Sequence, residues 1–114
     1  MQRAVELNPL DPELYAHLGQ VYYHQAQAIG GDRERSEVLV ESLGYFDAAV
    51  ERSPVVQAGL LRLHRQLVHE ELARTYATIG DIEEAVAHAE AALELAPKND
   101  RTRLNKLLEE LRSQ

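Results

Sequence analysis

Glu13, His17, Gln20 and His24 recur at spacings of four, three and four, which puts their side chains on one stripe of a helix. Imidazole and carboxylate on one stripe are metal ligands in type. A zinc site needs three or four converging donors, however, and imidazoles seven residues apart stand about 10 Å apart along the axis, so the stripe reads as a polar face. His64 and His69 are five apart and diverge around a helix, and His88 falls in a later segment; each reads as a half-exposed polar residue. Glu70 and Arg74 are spaced for an i,i+4 salt bridge. A guanidinium can also clamp a partner's carboxylate through two hydrogen bonds, but the intrahelical bridge is the first expectation. No GxSxG, P-loop, HExxH or GxGxxG occurs, and no nucleophile stands beside a recognisable base. The reading is therefore no enzyme, no metal and no cofactor. Tyr15, Tyr22 and Tyr76 are expected in packing positions and not as stacking platforms.

Composition narrows the class of partner. Of 114 residues, 45% are apolar and 27% charged, with a net charge of -7, as for one small soluble helical domain. Such acidity opposes nonspecific binding to nucleic acid or anionic lipid, which requires clustered cations. The pairs Arg33/Arg35, Arg62/Arg65 and Arg101/Arg103 read as solvated helix faces. No run of eighteen apolar residues and no basic-then-apolar leader is present, so neither a membrane span nor direct membrane contact is expected. Zero cysteines exclude disulfides and thiolate sites but leave the compartment open. The default is cytoplasmic; the alternative is a soluble domain of a membrane-anchored protein.

The elements that position these residues are punctuated by prolines. Ala4-Val5-Glu6-Leu7-Asn8-Pro9, Ala49-Val50-Glu51-Arg52-Ser53-Pro54 and Ala92-Leu93-Glu94-Leu95-Ala96-Pro97 share one pattern, an alanine five residues before a proline that ends a helix. Asp11-Pro12-Glu13 starts a helix, with Leu14, Leu18, Val21, Tyr22 and Ile29 on its apolar side. Gly30-Gly31-Asp32 ends it and caps the next, which carries Leu39, Leu43, Phe46 and Val50 and runs to Ser53. From Pro54 to Ile79, Leu60, Leu63, Leu67, Leu72 and Tyr76 mark one long helix or two with a kink. Gly80-Asp81-Ile82-Glu83-Glu84 is a turn and an acidic capping box, opening a helix that packs through Ala85, Ala89, Ala92 and Leu93 and ends at Pro97. Asn99-Asp100 caps a last helix with Leu104, Leu107, Leu108 and Leu111.

Tyr15-x2-Leu18-Gly19-x2-Tyr22 with Phe46, Ala49 and Pro54, and Leu72-Ala73-x2-Tyr76 with Gly80, Ala85, Ala92 and Pro97, resemble the tetratricopeptide repeat family. Ser42 stands where that family has a small alanine; His69, Ala73 and Ala89 replace its aromatic, glycine and Phe. The resemblance implies an all-α fold, a tetratricopeptide-type antiparallel helix-hairpin solenoid with a right-handed superhelix. One domain spans 1–114: the end of a preceding repeat helix at 1–9, hairpins at 12–54 and 55–97, and a capping helix at 99–112. The chain is expected to begin inside a repeat of a longer protein. Its prolines are 45 and 43 residues apart, beyond the family's unit of about 34. Helices longer by whole turns account for this better than a loop does, and the second excess precedes Gln66.

The resemblance also implies a function: a protein-protein interaction scaffold that takes a partner's peptide or helix in a concave groove. Its groove positions fall on Glu13, Ala16, His17, Gln20, Tyr23 and His24 and on Glu70, Arg74, Ala77 and Thr78. The Lys and Asn pair with which some members clamp a carboxylate is replaced by Ala16 and Gln20, then Glu70 and Arg74, so that clamp is not expected. Val55, Val56, Leu60 and Leu61 extend beyond the regular hairpin. They read either as buried by the C-terminal helix or as a self-association contact, giving a homodimer or an assembly within the parent chain. The alternative function is an assembly module of a bacterial O-antigen polymerase- or ligase-like membrane protein, to whose repeat segments Asn8-Pro9-Leu10-Asp11 with Tyr15, Leu18 and Tyr22 is similar.

Overall fold

The chain is described here from a computed structural model that covers residues 12–52 and 58–114. Pro9, Asp11, Pro54, Val55 and Val56 lie outside the described residues. Among the described residues five helices follow in order: α1 (Pro12–Ala28), α2 (Asp32–Arg52), α3 (Ala58–Ile79), α4 (Ile82–Leu95) and α5 (Lys98–Arg112). Each packs against the next, giving an elongated slab of 47 × 32 × 19 Å. The long units are long because their helices are long: α1 has 17 residues, α2 has 21 and α3 has 22. The stretch from Ala58 to Ile79 is one unbroken helix.

The helix ends show which caps the sequence placed correctly. Asp32 is the first residue of α2 and not its cap; the Gly31 carbonyl accepts the Arg35 N–H at 2.9 Å, and the Asp32 carboxylate favours the positive helix end. Arg35 reaches back to donate to the Ile29 carbonyl at 2.6 Å, which closes the α1–α2 turn. Gly80 takes φ 99°, a conformation open to glycine, and the N–H groups of Gly80 and Asp81 both donate to the Tyr76 carbonyl, at 3.0 and 2.9 Å. Asp81 then caps α4 by accepting from the Glu84 N–H at 3.3 Å. Because the Asp81 N–H is already given to Tyr76, the box is made on one side. At α5 the expectation fails: the helix begins at Lys98 after Pro97, without a side-chain cap. Asp100 therefore lies inside the first turn, and its carboxylate is drawn toward α3, accepting from Gln66 Nε2 at 3.1 Å.

One close crossing sets the first hairpin. A side chain at Gly19 would begin 2.9 Å from the Phe46 ring, so Phe46 can lie on α1 only because Gly19 has no Cβ. Beside it, buried Ser42 donates to the Gly19 carbonyl at 2.6 Å, which gives the serine's hydroxyl a partner inside the interface. Phe46 belongs to a core with Ala26, Leu39, Ala49, Leu61, Val68 and Leu72. The second hairpin packs through smaller residues: Ala73, Ala85 and Ala89 meet Leu108 and Leu111 of α5, and Ala92 and Ala96 meet Leu104. Leu61 is buried with α1 and α2 rather than by the C-terminal helix. Leu60, Leu63 and Leu67, read from the sequence as part of a packing face, are exposed at 62%, 45% and 38%.

Filling the crossing should cost what overpacking costs. Gly19→Val is expected to destabilise the chain by about 1–3 kcal/mol, and Phe46→Ala by about 3–5 kcal/mol. Thermal melts of the two single variants and the double check this. In the double, the loss should fall short of the sum, because the ring that clashes with valine is gone.

Candidate functional site

α1 and α3 diverge enough to leave a recess between them. Gln20, Tyr23 and His24 form its α1 wall, His64 and Leu67 its α3 wall, and Phe46 and Val68 line it as well, around a volume of about 220 Å³. His64 lies parallel to Phe46, ring centroids 5.2 Å apart and planes 2° apart, and its Nε2 stands 3.4 Å from Gln20 Nε2. Burial lowers the His64 pKa from its ordinary value, so the imidazole is neutral at pH 7. Tyr23 packs edge-on to His24 at 5.9 Å. Its phenol is raised by burial and by the nearby Glu71 and Glu70 carboxylates, which keeps it a proton donor.

Leu60, Leu63 and Leu67, spaced three and four apart, make a leucine ridge along this half of α3. Across the ridge a second recess, of about 310 Å³, is lined by Gly59, Leu63, Gln66, Leu95, Ala96 and Pro97 with Arg62. Arg62 donates to the carbonyls of Leu95 at 3.0 Å and Glu94 at 2.9 Å, capping the end of α4. The ridge thus stands between two shallow hollows.

The other half of α3 is charged, and its charges are internal. Glu70 is buried, accepts both nitrogens of the Arg103 guanidinium from α5 and also Gln66 Nε2 at 3.0 Å. Arg74 sits 3.6 Å from both Glu70 and Glu71, so the expected i,i+4 bridge is made. Glu70, placed in the groove by the resemblance, is thus enclosed by α5. Thr78 is exposed and donates to the Arg74 carbonyl at 3.0 Å. Ala16 and Ala77 are half-buried, while Glu13 and His17 are exposed on the first turns of α1.

The structure therefore brings Gln20, Tyr23 and His24 together but gives them other neighbours than expected. By repeat position Gln20 corresponds to Arg74, yet the α3 residue beside it is His64, ten residues earlier. That is almost three turns of helix. The extension before Gln66 runs alongside α1 and supplies the opposing wall. Sequence reasoning missed His64, Leu67 and Arg103 as participants; the signal for the first two was the lengthening itself.

The histidines read as separate are in contact. His69 Nδ1 and His88 Nδ1 are 2.9 Å apart, and His88 stacks on Tyr76 with centroids 5.5 Å apart and planes 10° apart. Glu84 lies at the other ring nitrogen of His88, 3.8 Å away, so these donors do not converge on one point. Burial, the neighbouring His88 and Arg65 push His69 down to about 4. Burial lowers His88 too, against an opposing pull from Glu84.

Both lowered histidines hold fewer protons folded than unfolded, so stability is full above pH 6.5 and is lost as pH falls toward about 4. For His69 the loss is on the order of 2–3 kcal/mol, read as a falling melting temperature. His69→Phe keeps a ring and should flatten that profile. Separately, Arg103→Ala leaves the buried Glu70 carboxylate with only Gln66 and the more distant Arg74 and is expected to cost roughly 1–2 kcal/mol, a loss that adding Glu70→Gln should reduce in a denaturant titration.

Residues 66–99 match the family model described as Tetratricopeptide repeat. No curated protein and no solved structure matches the chain. The match begins at Gln66, so the first eight residues of α3 precede it. Among the described residues the all-helical architecture, the Gly80 turn and the alanine-packed α3–α4 hairpin agree with that match, and residues 66–99 are in this respect similar to a tetratricopeptide repeat.

Proposed function

We propose that the chain is a non-catalytic scaffold that binds a partner's peptide or helix in the groove between α1 and α3. Tetratricopeptide repeats mediate protein-protein interaction, and residues 66–99 match that family's model. The observation that carries the reading for this groove is the exposed ridge of Leu60, Leu63 and Leu67 beside a mainly apolar recess whose rim carries Gln20, Tyr23, His24 and His64. Such a surface suits an amphipathic helix that lays apolar side chains into hollows. Gln20, Tyr23 and His24 would supply donors and acceptors along one side, and Glu13, His17, Arg74 and Thr78, exposed on the same two helices, would extend the contact.

Self-association is the second reading, favoured by the exposure of Leu60. Among the described residues, three part-exposed leucines fall well short of the roughly 800 Å² per partner that a stable interface buries, so the peptide reading is preferred. Among the described residues no helix is long and apolar enough to cross a membrane, and assembly within an O-antigen polymerase-type protein draws no support from the matches.

A peptide selected against the chain from a displayed library tests the reading, with binding mapped by amide chemical shifts. Shifts should cluster on Gln20, Tyr23, His24, His64 and Leu67. Leu67→Asp should weaken the selected peptide at least tenfold without moving the melting temperature. Shifts confined to the outer faces of α2 and α4 would sink the proposal, and a concentration-dependent mass in light scattering would favour self-association.

A further inference from the structure

The recess across the leucine ridge carries an acceptor that nothing else in the protein uses. Gln66 is buried, at 1% exposure, and its amide nitrogen donates to Glu70 Oε2 at 3.0 Å and to Asp100 Oδ2 at 3.1 Å. Two carboxylates fix which end of the amide is nitrogen, because only that end can donate. The oxygen of the same amide, Gln66 Oε1, is buried without a hydrogen-bond partner among the described residues. Such an orphan acceptor is unfavourable, and here it belongs to a residue that lines a recess of about 310 Å³. Leu63, Leu95, Ala96 and Pro97 supply apolar walls. At Gly59 the recess has room to spare, since a Cβ built there would find open space.

We propose that this second recess takes a tryptophan side chain of the partner, its indole N–H donating to Gln66 Oε1. The proposal rests on the scaffold reading and adds the chemistry of one anchor. Elimination leads to it. Arg62 is held at the recess by its bonds to the Leu95 and Glu94 carbonyls, so its fixed positive charge opposes an ammonium or a guanidinium. An anion would meet an acceptor oxygen whose amide is already bonded to the Glu70 and Asp100 carboxylates. What remains is a neutral donor, and the apolar walls favour one carried on a large apolar body over a hydroxyl or a primary amide. A phenol also brings lone pairs to the acceptor, whereas an indole nitrogen only donates. The volume falls at the lower end of pockets that hold small organic groups, as suits one bicyclic ring, and Arg62 offers that ring a cation.

N-acetyltryptophanamide is the probe, titrated into the full chain and followed by amide chemical shifts. Shifts should appear at the Gln66 side-chain amide, Leu63 and Ala96. The benzothiophene isostere, which keeps the ring shape and lacks the N–H, should bind about fivefold more weakly, the worth of one neutral hydrogen bond. N-acetyltyrosinamide should bind more weakly as well. Gly59→Leu occupies the open space without a clash and should abolish the shifts without lowering the melting temperature. Equal binding of the isostere or of the tyrosine amide would overturn the proposal, because the N–H would then have no acceptor there. Shifts confined to Tyr23 and Leu67, no shift at Gln66, or undiminished binding by Gly59→Leu would overturn it too. The probe needs no selected peptide, so its failure is distinguishable from failure of the groove between α1 and α3.

Discussion

Phe46 lies on Gly19 because nothing occupies that α-carbon, and three helices take their places from this contact. One face of the ring lets α1 and α2 approach within contact of a backbone, and Ser42 ties the same point with a hydrogen bond to the Gly19 carbonyl. His64 of α3 stacks in parallel on the ring. A flat residue in this position thus sets the α1–α2 distance and also the level at which α3 runs beside α1. The recess lined by Gln20, Tyr23 and Leu67 follows from that level.

A second linkage, polar rather than apolar, joins α3 to α5. Buried Glu70 is held by Arg103 and Gln66, and Gln66 also reaches Asp100. Apolar contacts between Leu104, Leu108, Leu111 and the alanine face tolerate some sliding, whereas charge-assisted hydrogen bonds have direction. The network therefore fixes the register of the terminal helix, at the cost of desolvating a carboxylate. It also buries a glutamate that the repeat pattern assigns to the groove. The surface of α3 is consequently divided along its length: the N-terminal half shows exposed leucines, and Glu70, Glu71 and Arg74 of the C-terminal half are paired within the molecule.

The two units carry related aromatic trios with different chemistry. In the second, imidazoles replace two of the phenols, and close burial gives the α3–α4 hairpin a sensitivity to acid. In the first, Tyr15, Tyr22 and Tyr45 line an open surface hollow with Glu41, and the Arg52 guanidinium lies over the Tyr15 ring.

The sequence alone determined the helices, their order and most of their ends, because 3.6-residue periodicity, the Gly80 turn and the Asp81 cap are local properties of a few neighbouring residues. It also identified the repeat and placed the extra length before Gln66, and Gln20, Tyr23 and His24 were legible as one face of α1. The tertiary structure decided which residues oppose that face. Carrying repeat positions across assumes that helices of equal length sit level, and the lengthened α3 breaks this assumption by almost three turns, so His64 replaces Arg74 beside Gln20. The fates of Glu70, of the leucine ridge and of the histidine pair were decided the same way. Each depends on a residue far away in the chain, Arg103 for Glu70 and His88 for His69, and no spacing within one helix encodes such a partner.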